Sequence, residues 1–145
     1  MDGVLWVRAK SAMMGYLNAA AAFDPEGWFN TEDAVEQEGE WLRFLGRCSE
    51  IINVGGMKVY PAEVEAMLLD MPGVLDATVR GQSSGLLGQI VVARVTLAEP
   101  ERALRFKTRM RKFCRGRIAA QMVPARIEIV DKPQHNERFK RMRLP

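Results

Sequence analysis

The 145-residue chain is 48% hydrophobic and 27% charged, a balance that permits one packed domain, or a small domain with an appendage, and argues against wholesale disorder. A single histidine, His135, and two distant cysteines, Cys48 and Cys114, offer little for a histidine metal centre or a Ser-His-Asp triad; no metal site and a reduced cysteine pair are expected. The net charge of +3 conceals a bias, because eight Lys or Arg fall between Glu101 and Arg117 and five more between Lys132 and Arg143. Such runs either attract polyphosphates or form a solvated helix face.

In chain order, Val4 to Ala9 reads as a strand, and a less regular stretch leads to Gly27-Trp28-Phe29 and on to Asp33. Ala34-Val35 and Trp41 to Leu45 then flank the turn-prone Glu38-Gly39-Glu40, which predicts a hairpin. So small a sheet with three Trp residues needs a partner layer, so self-association through this portion is open. From Ser49 onward the pattern becomes a compact domain. Ile51 to Val54 reads as a strand and Gly55-Gly56 as a tight turn before Lys58-Val59-Tyr60. Pro61 suits the first position of a helix that carries Val64, Met67 and Leu68 on one face and ends at Met71-Pro72-Gly73. Leu75, Ala77 and Val79 alternate with polar residues as a half-buried strand. Gly81 to Gly88 reads as a loop, and Val91, Ala93, Val95 and Leu97 share one face of the next strand. Ala103, Phe106, Met110 and Phe113 mark an amphipathic helix, and Arg126 to Val130 a last strand before a basic tail. The order β-α-β-β-α-β predicts the α+β class, with helices on a three-stranded or ferredoxin-like sheet and a short β-rich piece before it.

No apolar run approaches the ~20 residues that span a bilayer, and the N-terminal residues lack a secretory pattern, so a cytoplasmic protein is expected. Nucleic-acid binding by the Arg-rich helix is disfavoured, because interleaved aromatics for stacking are missing.

Four stretches carry a resemblance. Leu5-Trp6-Val7-Arg8 runs to Met14-Gly15-Tyr16-Leu17. Gly27-Trp28-Phe29-Asn30-Thr31-Glu32-Asp33 follows. Next comes Phe44-Leu45-Gly46-Arg47-Cys48-Ser49-Glu50-Ile51-Ile52-Asn53-Val54-Gly55-Gly56-Met57-Lys58-Val59-Tyr60-Pro61-Ala62-Glu63-Val64-Glu65. Last are Met122-Val123-Pro124-Ala125-Arg126, Lys132-Pro133 and Phe139-Lys140. In this order they resemble the adenylate-forming superfamily, which includes acyl-CoA synthetases, luciferases and peptide-synthetase adenylation domains. The third stretch, similar to "GRxDxxIKxGGxKVxPxEVE", is the most specific.

The resemblance implies a C-terminal lid domain, residues 49–145, preceded by residues 1–48 as the β-rich end of a large adenylation domain. It implies that Asp33 and Arg47 hold the ribose hydroxyls of ATP and of the acyl-adenylate, a carboxylate accepting and a guanidinium donating; on the residues alone they read as a salt bridge at a hairpin end. Ser49 falls at the family's hinge, or simply caps a turn. Gly55, Gly56 and Lys58 match the loop that lines the pantetheine tunnel of CoA-forming relatives. Lys140 matches the lysine that contacts the substrate carboxylate and α-phosphate, although Phe139 replaces a glycine and one extra residue separates Pro133 from Lys140; a solvated basic tail is the alternative. Glu32 also departs from the family, standing where a glycine is usual. The implied activity is part of an acid–thiol ligase: ATP, with Mg bound by the large domain, activates an acid, and CoA or phosphopantetheine accepts it. The phosphate loop and acyl pocket of the large domain have no counterpart here, so the chain is expected to be inactive without a large N-terminal domain or a split-enzyme subunit. The alternative is a non-catalytic module that holds CoA or an acyl carrier protein.

Overall fold

The computed structural model describes residues 2–20, 23–131 and 134. The chain divides into two compact units, Met1–Ser49 and Glu50–Pro145. Both together are of the α+β class, as the sequence led one to expect.

The first unit is a three-stranded antiparallel sheet in the order β1 (Asp2–Val7), β2 (Phe29–Glu38), β3 (Trp41–Arg47). The hairpin between β2 and β3 turns at Gly39, whose φ of 63° is in the left-handed region open to glycine. Ala34 pairs with Gly46 and Val35 with Phe44, so β3 bulges by one residue. Leu45, the extra residue, is buried, since a bulge re-aims the side chain it inserts. Phe29 packs against Phe23 and Tyr16, with ring centroids 5.2 and 6.3 Å away. Trp41 is 82% exposed and Trp6 42%, in line with a sheet too small to cover its own aromatics.

The second unit follows a single 3-10 turn, Cys48–Glu50. It comprises β4 (Ile52–Val54), β5 (Met57–Val59), α1 (Pro61–Leu69), β6 (Val74–Ser84), β7 (Gly88–Leu97), α2 (Ala103–Cys114) and β8 (Arg126–Ile129). β7 is central: β6 pairs along its length, β8 lies parallel on its other side, and β4 joins at Gly88. Pro61 opens α1, where a missing N–H costs nothing. Val64 and Leu68 of α1 and Phe106, Met110 and Cys114 of α2 are fully buried against Ala77, Val79, Val91, Ala93 and Val95. Each fully buried large apolar side chain contributes roughly 1.5–3 kcal/mol relative to exposure.

Three expectations need correction. Leu75 does not share the buried face of Ala77 and Val79 but is 64% exposed, because the register shifts between Val74 and Asp76 and one extra residue reverses the alternation. The loop expected over residues 81–88 is only residues 85–87, since β6 continues to Ser84 and β7 starts at Gly88. Gly81 is a packing glycine there, because a Cβ would come within 2.9 Å of Gln89 Nε2 and 3.2 Å of Ile52 Cγ2. The buried face of α2 runs through Cys114 rather than Ala103, which is exposed. Burial pushes the Cys114 thiol above its usual range, with the Arg117 charge opposing.

Candidate functional site

Asp33 and Arg47 sit directly opposite one another in the β2–β3 register. Arg47 Nε lies 3.0 Å from Asp33 Oδ1, and Arg47 Nη1 donates to the Thr31 carbonyl at 2.7 Å. The segment before Asp33 is held by local hydrogen bonds. Thr31 Oγ1 donates to the Leu5 carbonyl at 2.9 Å and accepts the Asp33 N–H at 3.2 Å, while Asn30 Oδ1 accepts the Glu32 N–H at 2.8 Å. These bonds fix the turn that aims the carboxylate. A cleft of about 470 Å³ opens here, lined by Tyr16, Phe29, Thr31, Glu32, Asp33 and Arg47 among others. It brings an acceptor carboxylate and a donor guanidinium to one rim beside two aromatic rings, an arrangement that can engage a vicinal diol from both polarities.

Glu32 has a φ of 58°. For a residue with a Cβ the left-handed region costs roughly 1–2 kcal/mol, which gives a backbone reason for a glycine at this place. Glu32→Gly relieves that strain at an entropic cost of roughly 0.5–1 kcal/mol. The substitution should therefore raise stability by roughly 0.5–1 kcal/mol and the Tm by a few degrees. A lower Tm in thermal unfolding would show that the glutamate side chain holds the turn.

Ser49 is exposed in the 3-10 turn at the boundary of the two units. Gly55 and Gly56 form the β4–β5 turn with φ of 58° and 84°, the doubly left-handed turn that suits a two-residue hairpin. Gly55 N–H donates to the Leu87 carbonyl at 2.9 Å, so this turn rests on the tip of the β6–β7 hairpin. Lys58 is exposed on β5, opposite Asn53. Lys140 lies outside the described residues. Among the described residues no group of three His, Cys, Asp or Glu side chains could hold a metal ion. No described helix is long and apolar enough to cross a membrane.

Sequence reasoning gave no role to Glu65. Its carboxylate is fully buried beneath α1 and accepts the Val79 N–H at 2.9 Å. Helical spacing could have flagged it, since Glu65 adjoins Val64 and stands one turn before Leu69 in a largely apolar helix.

Comparison with known proteins adds four findings. Residues 63–140 match the model of the AMP-binding enzyme C-terminal domain. The 2-succinylbenzoate–CoA ligase of Geobacillus kaustophilus is 39% identical over 149 residues, covering 97% of this chain and 29% of that enzyme. The o-succinylbenzoate CoA synthetase of Bacillus subtilis is 31% identical and superposes with a TM-score of 0.87 in its complex with the acyl-adenylate, over 99% of this chain and 30% of that one. The same Bacillus enzyme with ATP and magnesium superposes with a TM-score of 0.85 over equal shares. The chain thus spans less than a third of the length of these relatives.

Proposed function

The chain belongs to the family of AMP-binding enzyme C-terminal domains, and from that premise we propose that it is the C-terminal portion of an ATP-dependent acid–thiol ligase, inactive without a large domain. The observation that carries the reading is the Asp33–Arg47 pair at the rim of its cleft. In the proposed reaction a carboxylate oxygen attacks the α-phosphorus of ATP, pyrophosphate leaves, and an acyl-adenylate forms. A thiol of CoA or phosphopantetheine then attacks the acyl carbon and AMP leaves. Asp33 accepts from the ribose hydroxyls and Arg47 donates to them, so the sugar is oriented in both steps. Residues 1–48 complete the large domain, and residues 49–145 form a lid that pivots at Ser49. Gly55, Gly56 and Lys58 border the path of the thiol, where the lack of a Cβ lets the backbone approach a narrow chain. Lys140 neutralises charge at the reacting carboxylate and phosphate. Magnesium belongs to the large domain in this reading, and the enzyme works in the cytoplasm.

The test joins the chain to the large domain of the Geobacillus ligase and measures acid-dependent pyrophosphate release. The combination should be active and each piece alone inactive. Asp33→Ala should weaken ATP use by about 10–100-fold, the value of a charge-assisted hydrogen bond of roughly 1.5–3 kcal/mol. Absence of stimulation with any of the related large domains would sink the reading. Carrier-protein or CoA binding without nucleotide dependence would favour a non-catalytic module instead.

A further inference from the structure

A second concave site lies on the second unit, formed by the end of α1 and the C-terminal half of α2. It encloses about 540 Å³ and is lined by Met71, Pro72, Arg109, Lys112, Phe113, Arg115 and Arg117, within the volume range of small-molecule sites. Four of these seven side chains are cationic, three are apolar, and none is acidic.

Two of the four guanidinium and ammonium groups are already placed. Arg109 Nη1 donates to the Pro72 carbonyl at 2.7 Å and Nη2 to Glu101 at 2.8 Å. Arg117 stacks over the Phe113 ring, 4.1 Å from its centroid, which orders a long side chain that would otherwise wave in solvent. Glu101 compensates Arg109. The side chains of Lys112 and Arg115 make no ion pair or hydrogen bond among the described residues. Three positive charges, Lys112, Arg115 and Arg117, therefore converge on one groove without a counter-charge among the described residues. Placement near the end of α2 accounts for one or two of them through the helix dipole. It does not account for a concave cluster, with no acidic residue in its described lining, that continues past the helix end to Arg117.

We propose that this groove binds an oligophosphate, the chemistry shared by inorganic polyphosphate and the phosphate groups of a nucleotide. Guanidinium forks match phosphate oxygens in pairs. Pre-ordering of Arg109 and Arg117 lowers the conformational entropy lost on binding, and the Met71–Pro72–Phe113 floor offers apolar area to a nucleotide's base. The groove's described lining shares no residue with the Asp33–Arg47 cleft, so the two are tested separately.

Isothermal titration of the whole chain at low salt tests it, with inorganic tripolyphosphate, adenosine 3′,5′-bisphosphate and a single-stranded oligonucleotide as probes. One tripolyphosphate per chain is expected to bind, and added salt should weaken it. The double variant Arg115→Ser/Arg117→Ser should lose about tenfold or more in affinity. Arg111→Ser, which removes an exposed charge from the same helix outside the groove, should lose less than about twofold. Tighter binding of the bisphosphate than of tripolyphosphate assigns the groove to nucleotides, and the reverse to inorganic phosphate; either supports the proposal. Three outcomes overturn it: no binding of either probe, equal losses in the two variants, or an oligonucleotide that binds more tightly than both small phosphates. Circular dichroism of the variants, whose replaced side chains are exposed, checks that they remain folded.

Discussion

Lys140→Ala, assayed in the ligase formed with a large domain, should lower acid-dependent pyrophosphate release by about 10²–10³-fold, the usual loss when one preorganised charge partner of a transition state is removed. Thioester formation from preformed acyl-adenylate should change by less than about twofold, because an interaction made only in the first transition state leaves the second step untouched. The physical reason is charge. A carboxylate and a triphosphate repel as they approach, and an ammonium on a flexible stem can meet both without a fixed fork geometry. Arg138 and Arg141 flank this lysine and could take its place, given the extra residue between Pro133 and Lys140. Arg138→Ala and Arg141→Ala are therefore the matching controls. A large loss in either, with Lys140→Ala near normal, moves the role to that arginine. An equal loss of both half-reactions in Lys140→Ala points to a structural effect instead.

The largest expected effect on stability belongs to Glu65→Ala. The truncation leaves the Val79 N–H without its side-chain acceptor inside the fold, at roughly 1–3 kcal/mol for an unsatisfied buried donor, and opens a void beneath α1. A loss of roughly 3 kcal/mol should lower the Tm by about 10 °C for a chain of this size. Glu65→Gln retains an oxygen that can accept the same bond and should recover more than half of that loss. Thermal unfolding followed by circular dichroism reads both. If Glu65→Ala melts within about 2 °C of the unmodified chain, the clamp between α1 and β6 contributes little.

Much of the fold is legible in the sequence. The period-2 face of β7, the Pro61 helix start and the Phe106–Met110 face follow from local spacing, and the structure keeps them. The Gly55–Gly56 turn was legible as well, because two left-handed residues in succession leave few choices but glycine. The misreadings share one cause. Leu75 was assigned by alternation, and a bulge set by pairing with β7 reversed it. Gly81 was read as a loop former, although its role depends on how closely Gln89 and Ile52 approach. Whether Glu32 occupies a strained backbone state was equally invisible, since that is decided by the bonds Asn30 and Thr31 make around it.

By itself, then, the sequence determined the α+β class and most of the elements, the strand Met57–Val59 excepted, because these depend on spacing along the chain and on side-chain chemistry. Only the tertiary structure decided that Asp33 and Arg47 face one another across a hairpin, that a glutamate lies fully buried under α1, and that four cations of an ordinary basic helix and its flank line one groove. Those three facts depend on register, burial and the convergence of separate elements, which are distances through space that no local pattern encodes.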